Sequence, residues 1–178
     1  VMVGMGRGAE QGILFKSSEA LQRMGDVTQV VLDKTGTITQ GSLSVTDVIP
    51  TADYSRQRVL ELAATVERGS EHPLAAAIVA EAAKQGISLT DPQEFLATAG
   101  QGVVGRVGAQ SLQVGKRAWL DLDQDSTDTI DSEALQLERQ AKTVMWVAVD
   151  RVVVGLIAVA DTLKPSSPAA IAKLKQQG

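Results

Sequence analysis

The sequence contains no cysteine, a single histidine and few aromatic residues, and each scarcity excludes a class of function. Without cysteine there is neither a disulfide framework nor a zinc–cysteine site. With aromatic residues at 3%, platforms on which nucleobases stack are lacking, and the net charge of −4 argues against nucleic-acid binding. No apolar run approaches the roughly 18 residues that span a bilayer. What remains is an ordinary globular composition with an aliphatic core.

The hydrophobic pattern predicts a mixed α/β fold. Short apolar runs separated by glycines predict strands without long crossovers between them, which favours an antiparallel sheet flanked by helices. The predicted strands are 28–32, 43–49, 94–98, 102–107, 111–114, 144–149 and 152–160. The predicted helices are 54–67, 73–85, 133–140 and 165–177, with a weaker helical pattern over 8–24.

The heptad DKTGTIT, residues 33–39, carries the strongest chemical signal. It follows the predicted strand TQVVL directly, so that Asp33 lies at a strand end beside Gly36, which permits a tight turn. The carboxylate can attack a γ-phosphate and hold it as an acyl phosphate, while Lys34, Thr35 and Thr37 offer a cation and two hydroxyls to phosphoryl oxygens. The alternative, a strand-to-turn with a polar cap, explains an Asp-Lys pair but not all seven residues.

DKTGTIT resembles the phosphorylation signature of P-type ATPases, and Asp33 matches the aspartate that this family phosphorylates. The resemblance implies that Lys34 and Thr35 serve the same catalytic site, and that Asp33 and the backbone carbonyl of Thr35 help to hold Mg²⁺. It also implies a Rossmann-like phosphorylation domain of the haloacid dehalogenase type, interrupted by a nucleotide-binding insert.

The second signal is SEHPL, residues 70–74, which places the only histidine before a helix that begins with Pro73. His72 either caps this helix or, as a neutral imidazole, contacts a base; the residues alone leave both open. SEHPL resembles the signature of the heavy-metal branch of P-type ATPases. The resemblance implies that His72 orients the adenine of ATP and that Glu67 accepts a hydrogen bond from its amino group.

The glycine-rich stretch GQGVVG, residues 100–105, is by itself either a turn between strands or a nucleotide contact. In the heavy-metal branch a GxG at this distance after the histidine lets the backbone approach the nucleotide, which implies roles for Gly100, Gly102 and Val103. The next family element, a glycine–asparagine pair, reads Gly115-Lys116 here. Gly115 keeps its implied role, and we hypothesise that Lys116 contacts the nucleotide phosphates instead.

Charge supports a division of the chain. Residues 1–41 hold four basic and four acidic residues, whereas residues 42–156 hold ten basic and sixteen acidic ones. We therefore predict part of the phosphorylation domain over 1–41, the nucleotide-binding domain over 42–156 and re-entry into the phosphorylation domain over 157–178. Near this re-entry, either Asp161 shapes the hinge region, or the stretch Asp161–Lys164 contains the N-cap of the following helix.

The family's threonine-glycine-aspartate and GDGxND segments are expected beyond Gly178, so the fragment is predicted to bind nucleotide without turning it over. The predicted strand 28–32 would have an unpaired edge, which favours dimerisation or disorder of residues 1–41. A monomer with this segment well ordered would count against that hypothesis.

The resemblance implies the cytoplasmic part of a membrane-embedded pump, with ATP or ADP and Mg²⁺ as ligands and the rest of the pump as partner. The stretch GRGAEQGILFKSSEAL resembles copper-type pumps more than zinc or cadmium ones, which favours Cu(I). Two alternatives stay open. A soluble phosphatase of the haloacid dehalogenase superfamily usually reads Asp-x-Asp, where this chain has Thr35. A nucleotide-binding regulatory module would need no phosphorylation.

Overall fold

The computed structural model describes residues 1–123 and 128–177. The chain divides into two compact units, a larger one over Thr39–Leu163 and a smaller one formed by Val1–Ile38 together with Lys164–Gly178. The chain thus leaves the smaller unit once and returns to it. The assignment of these units to a nucleotide-binding and a phosphorylation domain, with boundaries at 41/42 and 156/157, stays a prediction.

A six-stranded antiparallel sheet forms the centre of the larger unit, in the order β1-β6-β5-β4-β3-β2. The strands are β1 (Thr39–Pro50), β2 (Gln93–Thr98), β3 (Gly102–Val107), β4 (Gln110–Gly115), β5 (Thr143–Val149) and β6 (Val152–Leu163). The predicted antiparallel sheet flanked by helices is confirmed. Thr39 and Leu163, at the two ends of this unit, are cross-strand partners.

The central strands are apolar on both faces because helices cover the sheet on both sides. Met145 and Val147 of β5 belong to one core cluster, and Trp146 and Ala148 belong to another. Successive strand residues point to opposite faces, so a strand buried on both sides reads as a continuous apolar run. This accounts for the sequence TVMWVAV in β5.

Two helices pack on the first face and one on the second. Helices α3 (Arg56–Glu67) and α4 (Pro73–Lys84) contribute to the first cluster, and α5 (Asp128–Arg139) contributes to the second. Ser55 is the N-cap of α3, and its Oγ accepts a hydrogen bond of 3.1 Å from the amide of Arg58. This cap satisfies one of the free N–H groups of the first turn.

The described residues of the smaller unit form three α-helices and two short helical turns. They are α1 (Met2–Glu10), α2 (Ser18–Arg23), the 3₁₀ turn Met24–Asp26, a kinked helical turn over Lys34–Ile38 and α6 (Ser167–Gln176). The helical pattern over 8–24 is therefore interrupted, since the chain turns at Gly12, whose φ is +77°. No helix of the described residues has the length and apolarity to cross a membrane.

The prediction of a strand over 28–32 is wrong. The segment is irregular, and Val30 and Val31 are exposed. A strand needs a neighbour for its backbone hydrogen bonds, and the described part of the smaller unit contains no strand that could pair with it. Dimerisation or disorder of residues 1–41 stays a prediction, but the unpaired strand edge that favoured it is not present at 28–32.

Candidate functional site

A cavity of about 340 Å³ opens at one end of the sheet in the larger unit. It brings together every nucleotide-binding residue that the sequence predicts. These are Glu67, His72, Gly100, Gly102, Val103 and Gly115, with Lys116 beside them. Its wall is completed mainly by small or apolar side chains, including Leu74, Ala97, Val144 and Met145. A mostly apolar cavity with a few convergent polar groups is typical of a small-molecule site.

Glu67, the last residue of α3, is a buried carboxyl group at this cavity. Its residue is only 3% exposed. Burial raises the pKa of Glu67 from 4.5 to about 7, because a low-dielectric site disfavours the charged form, and a hydrogen bond with the Ser70 side chain acts in the opposite direction. The amide of Ser70 also donates to the Glu67 carbonyl at 2.9 Å. A nearly buried acid that titrates close to neutrality is a candidate functional group.

His72 caps helix α4, as one of the two sequence interpretations predicted. Its Nδ1 accepts a hydrogen bond of 3.1 Å from the amide of Leu74, and Pro73 opens the helix. An accepting Nδ1 requires the neutral ring to carry its proton on Nε2, which stays available as a donor. The ring also lines the cavity. Capping and ligand binding are therefore compatible, because they use different nitrogens; the contact with a base stays a prediction.

Gly102 and Gly115 are required for a steric reason that the sequence did not reveal. Gly102 and Gly115 are cross-strand partners on β3 and β4. A Cβ on Gly102 would lie 2.4 Å from the Val114 carbonyl oxygen and 2.7 Å from the Gly115 Cα. A Cβ on Gly115 would lie 2.5 Å from the Gln101 carbonyl oxygen. The close approach is therefore between two protein backbones, whatever the cavity binds.

Gly100 serves the turn between β2 and β3. Its φ is +69°, a left-handed conformation that glycine adopts without strain. No neighbouring atom would meet a Cβ at this position. The turn interpretation of this glycine is thus confirmed, while its contact with nucleotide stays a prediction.

The three predicted catalytic residues lie in the smaller unit. All three, Asp33, Lys34 and Thr35, are exposed, and Asp33 precedes the kinked helical turn Lys34–Ile38, in which Gly36 has a φ of +76°. The Lys164 ammonium donates to the Gly36 carbonyl at 2.5 Å, and the Ser167 hydroxyl donates to the Ile38 carbonyl at 2.7 Å. These two contacts tie the DKTGTIT loop to the start of α6.

The residues present fit a Mg²⁺ site only in part. Mg²⁺ requires a near-octahedral set of oxygen ligands, and the prediction supplies two, the Asp33 carboxylate and the Thr35 carbonyl. Within residues 1–123 and 128–177 no group of three or more His, Asp or Glu side chains could hold a metal ion. The described residues therefore supply an incomplete Mg²⁺ site.

Asp161 has a role that differs from helix capping. It lies in β6, where it accepts hydrogen bonds from the Thr39 hydroxyl at 2.5 Å and from the Gly41 amide at 3.0 Å. The N-cap of α6 is Ser166. The prediction of an N-cap within Asp161–Lys164 is therefore wrong, because β6 extends to Leu163 and the helix begins after Ser166.

Sequence reasoning missed four residues that the structure places near the two sites. Ser70 and Gln101 line the cavity, Trp119 lies behind Gly102 and Gly115, and Lys164 holds the DKTGTIT loop. Ser70 lies within the quoted SEHPL motif, so its position offered a signal. The other contacts join residues that are distant in sequence or depend on a turn, and no local pattern indicates them.

A family model for haloacid dehalogenase-like hydrolases matches residues 27–178. The "Probable copper-transporting ATPase PacS" of Synechocystis sp. is 44% identical over 184 residues, which cover 100% of this chain and 25% of that protein. The chain belongs to the haloacid dehalogenase-like hydrolases and is homologous to copper-transporting P-type ATPases. The resemblance predicted from DKTGTIT and SEHPL is confirmed.

Two solved structures show the same fold. A zinc-transporting PIB-type ATPase in an E2.Pi state matches with a TM-score of 0.89 and 34% identity, over 100% of this chain and 29% of that chain. The N-domain of HMA8, a copper-transporting P-type ATPase, matches with a TM-score of 0.57 and 30% identity, over 66% of this chain and 99% of that domain. The chain spans about a quarter of the length of the curated relatives that it matches.

Proposed function

We propose that the chain is the ATP-binding and phosphoryl-accepting cytoplasmic part of a P-type ATPase that pumps a soft metal ion. The observation that carries the proposal is the cavity in which Glu67, His72, Gly102 and Gly115 meet. Residues 42–156 would form the nucleotide-binding domain, with 1–41 and 157–178 contributing to the phosphorylation domain. The N-domain of HMA8 matches over 99% of its own length and 66% of this chain, which supports one self-contained domain of that size within the chain.

The cavity offers complementary groups to the edge of an adenine. The ionised Glu67 carboxylate would accept a hydrogen bond from the exocyclic amino group, and the His72 Nε2–H would donate to a ring nitrogen. Small and apolar walls such as Ala97 and Val144 would contact the faces of the base without an aromatic stack. Discrimination between purines would follow, because a carboxylate has no hydrogen bond to accept from a 6-keto group.

Asp33 would supply the nucleophile in the smaller unit. One carboxylate oxygen would form a bond to the γ-phosphorus while the bond to the bridging oxygen breaks, so that ADP leaves and an acyl phosphate remains. Lys34 and the hydroxyl of Thr35 would contact phosphoryl oxygens. Bound Mg²⁺ would neutralise phosphate charge, and its site would need ligands besides Asp33 and Thr35. We therefore propose that the chain alone binds nucleotide without turnover.

We propose Cu(I) as the transported ion of the whole protein. The PacS relative carries a copper name at 44% identity over all of this chain, whereas the zinc-transporting structure is 34% identical. The partners of this part would be the membrane and actuator domains of the same pump and the rest of its phosphorylation domain. No specific observation favours a regulatory module or a soluble phosphatase.

Titration of the ¹⁵N-labelled chain with ATP tests the nucleotide site. We expect the amide signals of Glu67, His72 and Gly102 to shift, with GTP at least about tenfold weaker because its 6-keto group cannot donate to Glu67. The exposed residue Met2 serves as an internal reference. Unmoved signals at the three cavity residues would refute the proposal.

Incubation of the chain with γ-labelled ATP and Mg²⁺ tests the expected absence of turnover. Steady-state hydrolysis of ATP or stable labelling of Asp33 would contradict it.

Lys116→Asn should weaken ATP binding and reduce its dependence on salt. Lys116 is exposed and lines the cavity, and its amide donates to the Gln101 carbonyl at 2.9 Å. An exposed ammonium beside phosphate contributes a screened attraction, so we expect a loss of about three- to tenfold at low salt. Calorimetry with ATP and adenosine across a salt series measures it. Lys84→Asn on α4 is the matched surface control, and an ATP affinity unchanged at every salt concentration would reject the phosphate contact.

A further inference from the structure

Gly102 and Gly115 contribute only backbone atoms to the cavity wall, and an aromatic ring lies behind them. We call these two residues the glycine floor. A Cβ on Gly102 would lie 2.7 Å from the Trp119 ring, and a Cβ on Gly115 would lie 3.0 Å from it. The space that two side chains would fill is thus occupied by the indole of Trp119. Both glycines line the cavity, but Trp119 does not.

The orientation of the two strands shows on which side the indole lies. Val103 and Val114, the next residues on β3 and β4, point into the first core cluster with α3 and α4. Successive strand residues point to opposite faces, so the side-chain directions of Gly102 and Gly115 are toward the second face. There Trp119 packs, half-buried, against the cluster that contains α5.

A tight turn after β4 brings the indole to this position. The amide of Lys116 donates to the Gln101 carbonyl at 2.9 Å, and the amide of Trp119 donates to the Lys116 carbonyl at 3.0 Å. Lys116, Gln101 and Trp119 are therefore linked through consecutive backbone hydrogen bonds. A change in the packing of the indole would move both the glycine floor and the residue at the rim.

We propose that Trp119 is a positioning residue for the purine nucleotide, acting through the glycine floor rather than by contact with the ligand. This rests on the proposed nucleotide site. The indole supports the backbone of Gly102 and Gly115 from behind and fixes the turn that presents Lys116. A polypeptide backbone without side chains has little rigidity of its own, and a bound ligand depends on the placement of the groups around it.

Substitution of Trp119 tests the inference against a matched core truncation. We expect Trp119→Ala to lower ATP affinity by about tenfold, since small displacements in a site cost affinity steeply. Leu137→Ala removes a buried side chain of the same cluster on α5 and should lower the melting temperature while leaving the affinity within about twofold. Trp119→Phe keeps a planar ring and should restore most of the affinity.

Amide spectra and fluorescence supply readouts that general destabilisation would not move. In Trp119→Phe, the amide signals of Gly102, Gly115 and Lys116 should shift from their wild-type positions, whereas those of Glu67 should not. In Trp146→Phe, Trp119 is the sole tryptophan, and its emission should change on addition of ATP. Full ATP affinity in Trp119→Ala, or emission indifferent to bound ATP, would overturn the inference alone. Absence of ATP binding to the wild-type chain would overturn the proposed function with it.

Discussion

Glu67→Gln is expected to stabilise the fold at pH 8 and to weaken ATP binding in the same protein. Burial raises the pKa of the carboxyl group from 4.5 to about 7, so at pH 8 the folded state holds a charge that its surroundings disfavour. The neutral amide removes this cost, and we expect a gain of about 2 kcal/mol in the free energy of unfolding. It also replaces an acceptor by a group that can present a donor to the adenine amino group.

The raised pKa of Glu67 determines in which direction stability and ATP affinity change with pH. As the pH falls through 7, folded Glu67 binds a proton that the unfolded chain does not bind until about 4.5. The wild-type contribution to stability therefore rises between pH 7 and pH 4.5, and it is constant above pH 7. ATP affinity should change oppositely, since the ionised carboxylate is the acceptor. In Glu67→Gln, neither the stability nor the ATP affinity should show this dependence on pH.

Denaturant unfolding and calorimetry between pH 5 and 8.5 measure the two effects. Glu61→Gln is the matched control, because this carboxylate lies on the same helix, is partly exposed and pairs with Arg58. It should change neither ATP affinity nor its pH dependence. An identical pH slope of stability in wild type and Glu67→Gln would contradict the burial argument, and an unchanged ATP affinity would contradict the adenine contact.

Gly102→Ala should be among the most damaging single substitutions in the chain. The added Cβ would lie 2.4 Å from the Val114 carbonyl oxygen and 2.7 Å from the Gly115 Cα, and a backbone cannot move aside as a flexible side chain does. We expect a loss of about 3 kcal/mol in the free energy of unfolding, with strands β3 and β4 forced apart. ATP binding should be lost, because the floor of the cavity is displaced.

Two other glycines give the comparison. Gly25→Ala adds a Cβ that meets no neighbour at a residue without a positive φ, so stability and affinity should stay near wild type. Gly100→Ala meets no neighbour either, but its φ of +69° should cost about 1 kcal/mol. Denaturant unfolding and ATP calorimetry rank the three variants, and a Gly102→Ala protein as stable as Gly25→Ala would refute the steric argument.

The sheet of the larger unit could be predicted because its signals are local. The predicted strands 144–149 and 152–160 leave Asp150-Arg151 as the turn between them, and the structure puts both residues there with φ values of +49° and +72°. Such a turn matches the twist of two adjoining strands. Helix α4 likewise begins at Pro73, where the sequence predicts it to begin. Runs of apolar residues, and the residues that begin and end them, predict strands and helices without knowledge of contacts between residues distant in the sequence.

The wrong and missed predictions concern features that are determined by contacts between residues distant in the sequence. Residues 28–32 have the β-branched composition of a buried strand, yet the described residues of their unit provide no partner strand. The position of Trp119 behind Gly102 depends on a turn and on a cross-strand register. The burial of Glu67 depends on how α3 packs against the sheet, and α3 by itself gives no sign that its last residue would be enclosed.

Cross-strand pairing of Thr39 with Leu163 means that the larger unit starts and finishes within about 5 Å. The distance between its two ends is therefore similar to the distance that a hairpin turn spans. Inserting the unit into a chain costs about as much loop-closure entropy as inserting a short loop. Such a module can be exchanged between chains by recombination without rerouting the polypeptide that receives it, and it can be excised for study with both ends on adjacent strands.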